Sequence, residues 1–211
     1  MQSKRYVIWD WNGTLFNDAS CAHSILNQMQ RSRKMKETGF DDYQRIYEHP
    51  IELIYQRAGF DFEIEPYDVL VHEWHEAYLK QLPKVELHAD SIVTLDHFRS
   101  RNIEQVVLSA LPHDILLNTI KGNRVEEYFL HIQGLADRAG RSKIENGHAL
   151  MKKWQAQPNE TVLIGDSTHD FETAQALGVE CILVARGFEH REKLERHGVR
   201  VLEDFTQLRD G

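Results

Sequence analysis

The sequence predicts a doubly wound α/β fold: a Rossmann-like parallel sheet with helices on both faces and a helical module inserted near its start. Three observations lead there. Short apolar runs recur at 6–9, 105–108, 130–133, 161–164 and 181–184, each bounded by Gly, Asp or Ser. Apolar toward both faces, such runs suit strands buried between two helix layers. Segments with helical apolar spacing separate them, at 89–100, 143–154 and 170–177, and alternation of this kind builds a parallel sheet. Residues 17–85 break the pattern, with amphipathic stretches at 18–34, 41–48, 51–58 and 66–82 and no convincing strand.

The first run ends in a carboxylate, Asp10, with Gly13 and Thr14 just beyond it. A carboxylate there sits at the C-terminal end of a buried parallel strand, where open α/β sheets place their ligands. Gly13 permits a tight turn, and the Thr14 hydroxyl can hydrogen-bond a phosphate oxygen. The inserted module follows, punctuated by Pro50, Gly59 and Pro66, and the chain returns to the core near residues 83–87. Residues 1–16 and 86–211 are therefore read as the core domain and 17–85 as a helical lid over the strand ends. The run at 161–164 leads into an acidic cluster, Gly165-Asp166-Ser167-Thr168-His169-Asp170. Carboxylates from two strand ends make a site for a hard cation such as Mg²⁺.

Composition narrows the function classes. The 211 residues carry a net charge of −8, which argues against nucleic acid or an anionic membrane as partner, since both call for clustered Lys and Arg. Apolar content of 41% supports a real core. Cys21 and Cys181 lie far apart and suggest no disulfide framework, so reduced thiols in a cytoplasmic protein are expected. No stretch is long enough to span a bilayer, and the first apolar run, interrupted by Asp10, is no signal peptide.

Four motifs in order carry a family resemblance covering essentially the whole chain. They are Asp10-Trp11-Asn12-Gly13-Thr14, Ser109 ending a strand, Lys143 in Gly140-Arg141-Ser142-Lys143-Ile144, and Gly165 through Asp170. Together they resemble the haloacid-dehalogenase-like hydrolases of the phosphoglycolate-phosphatase-like group, which carry a helical cap. Singly, each piece has a plainer reading as a helix cap, a loop hydroxyl or a surface lysine. Those readings fail jointly, because all four motifs fall at expected strand ends.

The resemblance implies a Mg²⁺-dependent phosphatase acting on a small phosphorylated metabolite, as a monomer or homodimer. Asp10 would be the nucleophile that forms an aspartyl-phosphate. Mg²⁺ and Lys143 would offset the repulsion between that carboxylate and the phosphate. Asp10, Asp166 and the Asn12 backbone carbonyl would ligate the metal, with Asp170 bound through water or holding Lys143. Thr14, Ser109, the Ala110 N–H and Lys143 would cradle the phosphate oxygens.

Asn12 departs from the family motif, whose second Asp protonates the leaving alkoxide and then activates water. An amide has no titratable proton for either task, and loss of a positioned acid/base costs about 10²–10⁴-fold in rate. Three readings stay open: substrates with good leaving groups such as acyl or aryl phosphates, replacement by His169, or a non-catalytic phospho-ligand binder. For His169 a solvent-facing loop histidine is the preferred reading. The segment Asp-Trp-x-Gly-Thr also resembles phosphonoacetaldehyde hydrolases, but Lys34, Lys36 and Lys80 are poorly placed for the lysine those enzymes use. Retention of Asp166 and Asp170 argues for a metal, unlike the 2-haloacid dehalogenases.

Within the module, Tyr47, His49-Pro50, Tyr55 and Arg57 are candidates to face substrate, with Arg57 the natural anion partner. The run His72-Glu73-Trp74-His75-Glu76 lacks metal-motif spacing and is read as a solvated helix face. Arg186-Gly187 is expected at the rim of the phosphate pocket.

Overall fold

The computed structural model describes residues 4–135 and 142–209. Six parallel strands form one sheet: β1 (Tyr6–Trp9), β2 (Glu104–Pro112), β3 (His131–Leu135), β4 (Thr161–Gly165), β5 (Glu180–Val184) and β6 (Arg200–Leu202), in the order β3-β2-β1-β4-β5-β6. The chain builds outward from β1 on one side, then returns to pair β4 on the other. That reversal makes β1 the topological switch, where ligand crevices form in open α/β sheets.

β1 shows why its sequence forms a buried strand. Val7, Ile8 and Trp9 are all fully buried, and alternation sends Val7 and Trp9 to one face and Ile8 to the other. Trp9 packs between Phe98 and Phe205, with ring centroids 5.6 and 5.1 Å away. Its indole N–H is satisfied by Gln105 Oε1 at 3.0 Å. In the parallel ladders Trp9 stands level with Val107 of β2 and Ile164 of β4. The residues just beyond these positions therefore emerge side by side.

The helices α5 (Ser91–Ser100), α6 (His113–Gly122), α7 (Lys143–Trp154), α8 (Thr168–Leu177), α9 (Arg191–Glu195) and α10 (Thr206–Arg209) connect and flank the strands. Ser142 and Ser167 cap α7 and α8, each closing a reciprocal capping box. Thus Lys143 starts α7, and Asp170 lies in the first turn of α8.

Among the described residues, the first four α-helices follow β1 and carry the labels αA to αD in place of α1 to α4: Ala19–Ser32 (αA), Phe40–Ile46 (αB), Glu52–Arg57 (αC) and Tyr67–Gln81 (αD). Three fall inside the expected helical stretches, and Phe40–Ile46 begins one residue ahead of its own. The chain leaves and rejoins the sheet through adjoining backbone: Phe16 bridges Leu87, and the Asn17 N–H bonds the Glu86 carbonyl at 3.0 Å. Two features differ from the sequence reading. β2 runs past Leu108 to Pro112 with a register irregularity against β3, and the three-residue edge strand β6 was too short to give a periodic signal. Among the described residues, no helix is long and apolar enough to cross a membrane.

Candidate active site

At the carboxyl ends of β1 and β4, three buried carboxylates converge. One oxygen from each of Asp10, Asp166 and Asp170 lies within 4.8 Å of the others. Strand register delivers the first two, and the capped first turn of α8 delivers the third. Lys143 reaches in from α7, with Nζ 2.6 Å from Asp10 Oδ1 and 2.5 Å from Asp170 Oδ1.

Each carboxylate is oriented by further bonds. Thr14 Oγ1 stands 3.0 Å from both Asp10 Oδ2 and Asp166 Oδ1. The Phe188 N–H donates to Asp166 Oδ2 at 2.6 Å. Asp170 Oδ2 accepts from the Ser167 hydroxyl at 2.6 Å and from the backbone N–H groups of Asp166 and Ser167. Close approach of backbone is what the local glycines permit. A Cβ on Gly187 would fall 2.0 Å from Asp166 Oδ2, and one on Gly13, at φ +74°, would fall 2.3 Å from it.

One ammonium serves the cluster of three carboxylates and touches two of them, Asp10 and Asp170, and the electrostatics follow. Burial, then the charge of Asp170, pushes Asp10 up to about 7 despite Lys143. Burial, then the charges of Asp10 and Asp170, raise Asp166 well above the usual carboxylate range. Asp170 is held low: burial opposes its charge, but Lys143 and the Ser167 hydroxyl more than offset that. Lys143 is lowered by burial and raised by Asp10 and Asp170, which prevail and keep it charged. The excess negative charge and all-oxygen donor set fit a hard divalent cation, which would favour the ionised carboxylates.

A cavity of about 390 Å³ opens above this cluster. Asn12, Ser109 and Ala110 line it, with Ser109 Oγ 3.4 Å from Asn12 Oδ1. The structure thus brings together Asp10, Asn12, Thr14, Ser109, Ala110, Lys143, Asp166 and Asp170. Gly140 and Arg141, at the start of the third motif, lie outside the described residues.

Other expectations need correction. Arg57 does not line the cavity; it pairs with Glu48 on the exposed side of its helix, which gives its charge a nearer partner. His169 is no solvent-facing loop residue. It lies in the first turn of α8, lines the cavity and meets the His49 ring at 5.1 Å. Burial, then Lys143, lowers it to about 4, so it is neutral near pH 7. The run 72–76 is only partly solvated: His72 faces out toward Glu76, while Trp74 and His75 line the cavity. Arg186 is turned away from the cavity, bonding Asp90 at 2.6 Å and the Thr14 carbonyl at 2.8 Å, while Gly187 and Phe188 approach Asp166.

Sequence reasoning overlooked Asp18 and Tyr78. Asp18 is fully buried, accepting from the Gly13 N–H at 2.8 Å, the Asn12 amide at 2.8 Å and the Tyr78 hydroxyl at 2.5 Å. An aspartate before a helix reads as an N-cap, yet its side chain makes no capping bond. Tyr78 comes from αD and carries no local signal at all.

Comparison with known proteins agrees with this geometry. The profile of the haloacid dehalogenase-like hydrolases matches residues 7–184. A phosphoglycolate phosphatase from Synechococcus elongatus is 25% identical over 212 residues, covering 89% of this chain and 87% of its own. Another from Photobacterium profundum is 24% identical, covering 98% and 94%. Among solved structures, a haloacid dehalogenase-like hydrolase from Streptococcus pneumoniae superposes with a TM-score of 0.81 at 16% identity, covering 99% of this chain and 98% of its own.

Proposed function

The chain belongs to the haloacid dehalogenase-like hydrolases, and from that premise we propose that it is a Mg²⁺-dependent phosphatase acting on a small phosphorylated metabolite. The carrying observation is the contact of Asp10 with Lys143 inside a cluster of three buried carboxylates. Asp10, Asp166 and Asp170 would hold the ion, with the Asn12 carbonyl as a further donor. Bound Mg²⁺ would supply charge neutralisation and orient a phosphate oxygen.

In this reading an Asp10 oxygen attacks phosphorus in line, and the bond to the leaving oxygen breaks. Thr14, Ser109 and the Ala110 N–H orient the phosphoryl oxygens, and Lys143 offsets their charge. Water then attacks the aspartyl-phosphate and restores the carboxylate. Asn12 donates no proton in the first step and accepts none in the second, so turnover favours good leaving groups. Residues 17–85 act as a cap domain that closes the site from solvent.

Lys34, Lys36 and Lys80 are absent from the cavity wall, which disfavours the phosphonatase alternative. Asn12 alone favours a second reading, a non-catalytic binder of phosphorylated ligands. Phosphate release from acetyl phosphate and p-nitrophenyl phosphate, with and without Mg²⁺, separates the two. Turnover that needs Mg²⁺ and disappears in Asp10→Asn supports the enzyme. A flat response across a wide phosphate-ester panel supports the binder.

A further inference from the structure

Much of the cavity wall is aromatic. Tyr43, Tyr47, Tyr55, Tyr67 and Trp74 come from αB to αD, and Phe188 from the loop after β5. The rings brace one another: Trp74 stacks on Tyr78 with centroids 4.6 Å apart, and Tyr47 lies 4.9 Å from Phe188. Aliphatic side chains, among them Ile54 and Val71, fill the gaps between them. Such a wall offers ring faces and edges to a flat apolar group.

Charge in the same cavity is one-sided. Asp10, Asp18, Asp166 and Asp170 all line it, and among the described residues Lys143 is the one Lys or Arg that does. Lys143 is already engaged by Asp10 and Asp170. The arginines of the helical segment are committed elsewhere: Arg31 to Glu37, Arg33 to Glu65 and Glu73, Arg45 to Asp41 and Glu192, Arg57 to Glu48. Among the described residues, no Lys or Arg in the cavity wall is left to pair a carboxylate carried beside the substrate's phosphate, and burying such a charge unpaired is costly.

Asn12 supplies an independent constraint on the leaving group. With no acid at this position, the departing oxygen must carry its electron pair unaided. A phenol, with a pKa of about 10 as in tyrosine, leaves far more readily than an alkyl alcohol.

Resting on the phosphatase reading above, we infer that the substrate is a phosphate monoester of an aryl alcohol with no second anionic group. An Asp10 oxygen bonds to phosphorus as the phosphorus–aryl oxygen bond breaks. The electron pair stays on the phenolate, which takes its proton from solvent. Water oxygen then bonds to the phosphorus, the bond to Asp10 breaks, and the water proton passes to solvent.

The test compares kcat/KM for 2-naphthyl phosphate, acetyl phosphate and phosphoglycolate, using the whole chain with Mg²⁺. The naphthyl ester should exceed phosphoglycolate about tenfold or more, the scale on which apolar pockets discriminate. Trp74→Ala should lower the naphthyl-to-acetyl ratio about fivefold through KM, and Trp74→Phe should restore most of it. Preference for phosphoglycolate, or a ratio unmoved by Trp74→Ala, overturns this inference while leaving the phosphatase standing. No phosphate release from any of the three compounds removes both.

Discussion

Asn12 donates its side-chain amide to Asp18 Oδ2 at 2.8 Å, and the Tyr78 hydroxyl donates to the same oxygen at 2.5 Å. The pairing explains why position 12 tolerates, and indeed favours, an amide. A carboxylate there would set two acidic oxygens at hydrogen-bond distance inside a buried pocket. Burial already raises Asp18, with Tyr78 and Asn12 only partly countering it, and a second carboxylate would compete for the same donors.

Asn12→Asp alone should therefore restore little acid/base function. Paired with Asp18→Asn, it should raise turnover of an alkyl phosphate such as glycerol phosphate by about 10²-fold. Acetyl phosphate should respond less, because its leaving group needs no proton. Steady-state kinetics on both singles and the double decide it. Full gain in Asn12→Asp alone would contradict the coupling.

In the proposed mechanism, hydrolysis of a phosphoenzyme on Asp10 would lack a base at position 12 and should limit turnover with aryl esters. Stopped-flow assays should show a burst of phenol approaching one equivalent of enzyme. A linear trace from the first turnover would argue against a slow second step.

Lys143→Met removes the ammonium and leaves Asp10, Asp166 and Asp170 unrelieved. Breaking a buried pair this way costs about 3–5 kcal/mol. Urea denaturation in EDTA should show a loss of that size, with part of it recovered in Mg²⁺. A change below about 1 kcal/mol would mean that the carboxylates tolerate one another without a cation.

Gly187→Ala drives a Cβ against Asp166 without touching the nucleophile. If Asp166 holds Mg²⁺ as proposed, displacing it should weaken Mg²⁺ binding about 10–100-fold. The Mg²⁺ dependence of phosphate release should shift accordingly, with kcat at saturating metal less affected. Unchanged Mg²⁺ affinity would place the ion away from Asp166.

His88 gives a pH signature of stability. Its Nε2 lies 3.2 Å from the Gly13 carbonyl, and burial, then Arg186, lowers it from 6.5 to about 4. The unfolded chain takes up this proton first as pH falls. Its contribution is thus complete above about 6.5 and lost progressively toward 4, on the order of 2 kcal/mol. His88→Gln should flatten that part of the stability profile; identical pH dependence in both proteins would refute the assignment.

Local pattern alone was enough to place the sheet and the acidic cluster. Buried parallel strands advertise themselves by short apolar runs, and the residues ending them, Asp10, Ser109 and Asp166, are brought together by register that neighbouring parallel strands share. Lys143 was legible only through the family motif it completes; the capping box that sets it at the start of α7 emerged from the structure. The docking of αA to αD was not legible. An amphipathic helix reveals that it has an apolar face, but not which cavity that face will line. Hence Arg57, which found Glu48 nearby, was misplaced, Trp74 was read as part of a solvated helix face, and Tyr78 went unnoticed. Asp18 was hidden for the related reason that an acid before a helix looks like a cap until its partners are seen. The sequence by itself determined the sheet and the charged floor of the site. Only tertiary packing decided its aromatic wall and the bonds around Asn12, because both join residues whose proximity no local periodicity encodes.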